Sequence, residues 1–145
     1  MTDTAVGRSS GTPMQVDPGH LFATLPLFDV HDSTESVVVE LEHRADLVNS
    51  HDAIQGGLIA TLIDIAGGRL ALTSAPDGHA VTTADMTVHF VAPVRVGPAR
   101  AIATPVRVGS RLIVVAVDVV DAGAGDRLST RSTLTFAVLG PRTAT

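Results

Sequence analysis

The hydrophobic positions of this chain change period twice. In ESVVVELEH, residues 35–43, a run of valines passes into strict alternation that sets Val37, Val39 and Leu41 on one face, as in a half-buried strand. Over residues 56–72 the period lengthens. Leu58, Ile59, Ala60, Leu62, Ile63, Ile65 and Ala66 run apolar almost all the way round, which predicts a long, largely covered helix. After the turn-forming APDGHA the period of two returns. VTTADMTVHFV, APVRVGP, ARAIATPVRV, RLIVVAVDVV and RLSTRSTLTFAVL read as successive strands, with GS and DAGAGD supplying turns between the last three. Pro105 cannot donate a ladder hydrogen bond and predicts an edge or a bulge. Upstream, DPGHLFATLP suits a short helix with Asp17 as its cap and Pro18 at its first position, and residues 44–55 read as loop. One long helix set against a meander of antiparallel strands is an α+β layout.

Composition narrows the class. A chain of 145 residues forms one domain able to bury about two-thirds of its unfolded surface. Hydrophobic residues at 45% and charged residues at 17% describe a core-rich globular protein. The small, polar residues 1–16 read as a flexible tail, 17–140 as the single domain and 141–145 as a short C-terminal tail. No apolar run approaches the roughly 20 residues of a membrane span, and Asp118 interrupts the greasiest strand. With no basic-then-apolar leader pattern and no cysteine, the expectation is a cytoplasmic protein without disulfides, thiol catalysis or zinc–cysteine sites. A formal net charge of −5 argues against a nucleic-acid partner. The charge is uneven, however. Residues 86–117 hold Arg95, Arg100, Arg107 and Arg111 and no acid. That segment is either a solvated strand surface or an anion site, since guanidinium forks suit phosphate; Arg95, Arg107 and Arg111 are the candidate substrate contacts.

Common catalytic signatures are missing: no Gly-x-Ser-x-Gly elbow, phosphate loop, dinucleotide glycine pattern or His-Glu-x-x-His occurs. Six histidines are scattered without a tight ligand pair, so no metal site is expected. The helix carries the candidate chemistry. Backbone N–H groups in a first helical turn lack partners and attract negative charge, and glycine lets a ligand approach them closely. Gly56 and Gly57 could therefore stabilise the oxyanion formed when a carbonyl is attacked; they could equally serve only a tight loop-to-helix junction. Asp64 stands alone on the apolar helix, where a carboxylate is costly. It can act as general base, attack a carbonyl itself, or simply bond to backbone or arginine. Gly67 and Gly68 cost helix propensity and predict close packing against a neighbouring backbone. In the following strand, alternation puts Thr82 with Ala84, Met86, Val88 and Phe90 on the helix-facing side, and Thr83, Asp85, Thr87 and His89 on the other.

Taken together, NSHDAIQGGLIATLIDIAGG and VTTADMTVHFVAPV resemble the hotdog-fold acyl-CoA thioesterases of the PaaI type. In that family an asparagine stands six residues before a His-Gly-Gly and an aspartate nine residues after the histidine, spacings met here by Asn49, Gln55, Gly56, Gly57 and Asp64. The likeness covers roughly residues 30–138 and includes the closing hairpins. It implies a long central helix wrapped by a curved antiparallel sheet, and hydrolysis of an acyl-CoA with coenzyme A present only as part of the substrate. The Gly56 N–H would polarise the carbonyl, Asp64 would activate water or attack, Asn49 would orient carbonyl or water, and Thr82 would support them. The resemblance also implies a homodimer, or a dimer of dimers, joined through the strand near residues 80–91. One departure stands out: Gln55 replaces the family's histidine and cannot hand over a proton near neutral pH. That substitution keeps a second reading open, a module that holds an acyl thioester without cleaving it. A hotdog hydratase or dehydratase is a third, lacking the paired histidine and acid.

Overall fold

The computed structural model describes residues 6–141. Its strands are β1 (Thr12–Pro13), β2 (Leu27–Asp32), β3 (Val37–Leu41), β4 (Ala80–Phe90), β5 (Ala99–Val108), β6 (Leu112–Asp121) and β7 (Arg127–Leu139), and its helix is α1 (Gly56–Ser74). The strands form one antiparallel sheet in the order β1-β2-β3-β5-β6-β7-β4. The sheet wraps α1, which packs mainly on β5, β6 and β3. This is the hotdog architecture that the resemblance implied.

The alternation seen in sequence becomes burial. Val37, Val39 and Leu41 of β3, Ala99, Ala101 and Ala103 of β5, and Ile113, Val115, Val117 and Val119 of β6 all turn toward the helix and are buried. The alanines of β5 are short and let the helix backbone come close. On α1 the buried positions are Ile59, Leu62, Ile63, Ala66, Gly67, Leu70 and Ala71, a stripe at helical spacing. Each fully buried leucine or isoleucine contributes about 2 kcal/mol. Gly67 and Gly68 meet side chains rather than the backbone expected: a Cβ on Gly67 would lie 3.4 Å from both Leu134 and Phe136, and one on Gly68 3.7 Å from the Phe136 ring. The apolar residues outside this stripe keep surface to solvent, Leu72 at 54% exposure. By length and mean hydropathy of 1.3, α1 does reach the measure of a membrane span, contrary to the sequence expectation. Of that span 39% is buried against the sheet, as in the core helix of a globular domain.

Other departures have local causes. Residues 6–16 are not a loose tail. The Ser9 hydroxyl donates to Glu40 and its N–H to Glu42, and Thr12–Pro13 pairs with β2. The rest of the two expected tails, 1–5 and 142–145, lies outside the described residues. The short helix is a single 3-10 turn, Leu21–Thr24, capped by His20, whose Nδ1 accepts from the Phe22 N–H, and not by Asp17. β2 was unread because LFDVHD mixes apolar and charged residues across a register shift between Asp29 and His31. APVRVGP is irregular chain and not a strand. Pro105 lies beyond the reach of β3, which pairs β5 only to Ala103, and beside a register shift between Pro105 and Arg107. Both halves of its sequence reading are met.

One buried charge braces the outer side of the sheet. Glu40 is 1% exposed and accepts from Arg100 Nε at 2.7 Å and from Ser9 Oγ at 2.6 Å. Arg100 also reaches Asp126 at 3.3 Å, so it is spent on structure and drops out of the basic segment as an anion contact. Removing one partner of a buried pair strands the other, whereas removing both does not. Arg100→Met is therefore expected to cost about 3 kcal/mol in urea denaturation, and Glu40→Met/Arg100→Met clearly less. A single variant no less stable than the double one would refute the buried-pair assignment.

Candidate functional site

The loop before α1 is built around one side chain. Asn49 Oδ1 accepts from the N–H of His51 at 2.9 Å and of Ala53 at 3.3 Å, which closes the turn in which Asp52 adopts φ 59°. This fixes the carbonyl end of Asn49 in the loop and leaves its amide N–H₂ as the group free to meet a ligand. The loop is tied to the segment after β4: Ile54 N–H donates to Val94 O at 3.0 Å, and Arg95 Nε donates to the His51 carbonyl at 3.2 Å. That segment is pinned from below. Asp121 is fully buried, and its carboxylate accepts from the N–H groups of Arg95, Val96 and Gly97. On the approach to the loop, Arg44 grips Asp46 through Nε and Nη2, and the hydrogen bond holds that exposed carboxyl below its usual range.

Gln55 caps α1 through its backbone. Its carbonyl accepts from Leu58 and Ile59, and its own N–H donates to Leu47 O at 2.9 Å. Its exposed side chain makes one long contact, 3.4 Å to Val48 O. The N–H groups of Gly56 and Gly57 have no partner among the described residues, as the first helical turn requires. Gly56 and Asn49 line an open depression of about 300 Å³ together with Phe90, Pro93 and Val94. A Cβ on Gly56 would touch the Phe90 ring at 3.4 Å, an ordinary contact, while Gly57 has open space.

Asp64 lies elsewhere. Two turns along α1, half-buried, it accepts at Oδ1 from the Thr83 hydroxyl at 2.7 Å, and the pair borders a second groove with Phe22, Ile65 and Gly68. The helix-facing hydroxyl is thus Thr83 and not Thr82, a correction with a clear cause. Between Thr83 and Asp85 the pairing of β4 with β7 slips by one residue, and an extra residue in a strand reverses the facing of everything before it. Met86 and Val88 keep the expected facing; Val81 and Thr83 take it over from Thr82 and Ala84.

The structure thus groups Asn49 with Gly56, and Asp64 with Thr83, without joining the two groups within one chain. Arg95 borders the first group through His51. Arg107 and Arg111 stand together at the tip of the β5–β6 hairpin in a separate hollow with Ser110 and Leu112. In sequence Phe90 was read only as a helix-facing strand residue, and Pro93 and Val94 were not singled out, although VAPV directly follows β4. Among the described residues no group of three or more histidine or acidic side chains is arranged to hold a metal ion.

Residues 51–126 match the family model described as the thioesterase superfamily. A candidate esterase of Saccharolobus solfataricus is 33% identical over 85 residues, 59% of this chain and 60% of that protein. The chain thus spans somewhat under two-thirds of the curated relative it matches. A Bacillus halodurans protein whose crystal structure was determined with CoA is 31% identical, with a TM-score of 0.65 over 70% of this chain and 66% of that one. A thioesterase of Haemophilus influenzae shares the fold, with a TM-score of 0.77 at 20% identity over 84% of both chains.

The loop geometry carries its own test. Asn49→Ala removes two acceptor bonds, so the amides of His51 and Ala53 should exchange with solvent about tenfold faster. Unchanged protection would mean that the turn forms without Asn49.

Proposed function

The chain belongs to the thioesterase superfamily, and from that premise we propose that it hydrolyses an acyl-CoA thioester to the free acid and CoA, at sites shared between two copies of the chain. The observation that carries this reading is the separation of the two half-sites. Asp64, held by Thr83, and the unpartnered N–H of Gly56 lie on one helix in different depressions. Eight residues at 1.5 Å each put their backbones about 12 Å apart. A reacting carbonyl needs its oxyanion donor and its attacking group each about 3 Å away. Two helices related by a twofold axis meet that demand, the Gly56 end of one facing Asp64 of the other.

The monomer's surface supports such a pairing. Among the described residues β4 pairs with β7 alone, which makes it an edge strand whose outer backbone groups meet no other strand. Phe90 at its end is 59% exposed. A second copy meeting β4 would cover both, and a dimer or dimer of dimers would result. The CoA held by the Bacillus halodurans relative supports CoA as the carrier. Arg95, beside the Gly56 depression, and Arg107 with Arg111 at the hairpin tip are the cations offered to its phosphates.

In the reaction, Asp64 takes a proton from water as the oxygen attacks the thioester carbon. The negative charge gathers on the carbonyl oxygen, where Gly56 N–H and the Asn49 amide donate. Collapse breaks the carbon–sulfur bond and releases CoA thiolate. Thr83 keeps Oδ1 occupied, so Oδ2 is the basic oxygen. Direct attack by Asp64, giving an anhydride that water then opens, uses the same atoms. Gln55 can donate a hydrogen bond but no proton, and a leaving thiol with pKa near ~8.5 needs none. Glutamine at position 55, where the family has histidine, also fits a module that binds thioesters without cleavage; free thiol release from a panel of acyl-CoAs separates the two readings.

Two predictions follow from these roles. Asp64→Asn should lower kcat about a hundredfold or more while binding persists. In the same assay Thr83→Val should cost about tenfold and Thr82→Val less than about twofold; the reverse order would return the role to Thr82. The shared site has a sharper test. Asp64→Ala and Asn49→Ala subunits, each nearly inactive alone, are unfolded and remixed in equal amounts. Random pairing makes about half the dimers mixed, each with one intact site, so about a quarter of wild-type activity should return. Activity that stays at the parental level after verified exchange would place each site within one subunit.

A further inference from the structure

The groove beside Asp64 contains a cation that is not free. It is an open hollow of about 440 Å³ whose walls are mostly apolar: Phe22, Ile65, Leu72, Val81 and Phe136. Gly68, one helical turn beyond Asp64, adds no side chain to its floor. Arg69 also borders it. The Arg69 guanidinium is ion-paired through Nη1 with Asp29 of β2, and Nη2 lies 4.0 Å from Asp32 Oδ2. With Asp64 the groove region therefore carries three carboxylates and one guanidinium.

We propose that Asp29 and Asp32 mask Arg69, and that this masking makes the groove select acyl groups with an uncharged, apolar end. The inference rests on the hydrolytic reading of Asp64 given above and adds the substrate class. An acyl chain leaving the carbonyl at Asp64 runs along Ile65, Gly68 and Leu72 toward Arg69. A methyl or aryl end gains contact with Phe22 and Phe136. A carboxylate end meets an arginine already neutralised and a surplus of negative charge, and like charges brought together repel. Asp29 and Arg69 are each about one-third exposed, so solvent weakens the effect and the discrimination is moderate. Phe22 enters the groove from the 3-10 turn, which makes the segment before β2 part of the selectivity element.

Hexanoyl-CoA and adipoyl-CoA test this directly, because they share chain length and differ in a terminal methyl or carboxylate. The wild type should favour hexanoyl-CoA in kcat/KM by about tenfold or more. Asp29→Asn unmasks Arg69 and should shrink that ratio to about threefold or less, chiefly through the KM of adipoyl-CoA, and adding Arg69→Gln should abolish the gain. If Asp29→Asn does not fold, Arg69→Gln alone should widen the ratio, since Asp29 and Asp32 are then uncompensated. A ratio near one in the wild type, or one that neither variant moves, overturns the proposal. Titration of both thioesters into Asp64→Asn protein reads the same preference as a ratio of Kd. A preserved Kd ratio without turnover by the wild type would overturn the hydrolytic reading and keep the groove assignment. Turnover without a preference in kcat/KM or Kd would do the opposite, and neither turnover nor binding would end both.

Discussion

The packing of α1 into the curve of the sheet fixes what the site depends on. Its buried stripe, Ile59, Leu62, Ile63, Ala66, Gly67, Leu70 and Ala71, lies mainly against β5, β6 and β3. That contact sets the axial position and the rotation of α1 at once. Rotation turns the buried stripe to the sheet and leaves Asp64 at its border, where Thr83 can reach it. Axial position brings the first turn up to Phe90 and the 91–98 segment. A methyl group at Gly67 would meet Leu134 and Phe136 at ordinary contact distance, whereas a side chain much larger than that would shift α1 and move both half-sites together.

Around that contact, several polar groups hold irregular chain in place. Asp121 gathers three N–H groups of the segment that walls the Gly56 depression, and Asn49 does the same on a smaller scale for the loop opposite. Buried acceptors of this kind replace the regular ladder that loops lack. The result is a first helical turn whose Gly56 and Gly57 N–H groups stay free while the chain before it is tied down. Preorganised donors of this sort do not have to be reoriented when charge develops in front of them.

How much of this was legible in the sequence varied with the cause. β5, β6 and β7 were readable because strict alternation ran between unmistakable turns, and α1 because its period was long and its start carried two glycines. Gly56 and Asp64 were singled out by the pattern of one local segment, and Asn49 and Gln55 through the family resemblance alone. What escaped was set by partners far along the chain. β2 is a strand because β1 and β3 accept it, though LFDVHD alternates poorly. The strap at Ser9 is ordered by Glu40 and Glu42, over thirty residues away. Asp121 looked like the first residue of a turn, and nothing local betrays three donors converging on it.

The slip in β4 has a consequence for how such proteins diverge. It is a matter of chain length, not of residue type: one extra residue near Ala84 turns Thr83 inward. A relative without the extra residue could carry the same threonines and present the other one to the helix. Column-by-column comparison of the two sequences would then record identity where the chemistry has shifted by a residue. In this strand a single insertion or deletion can move a functional hydroxyl from one codon to its neighbour, with no substitution at all.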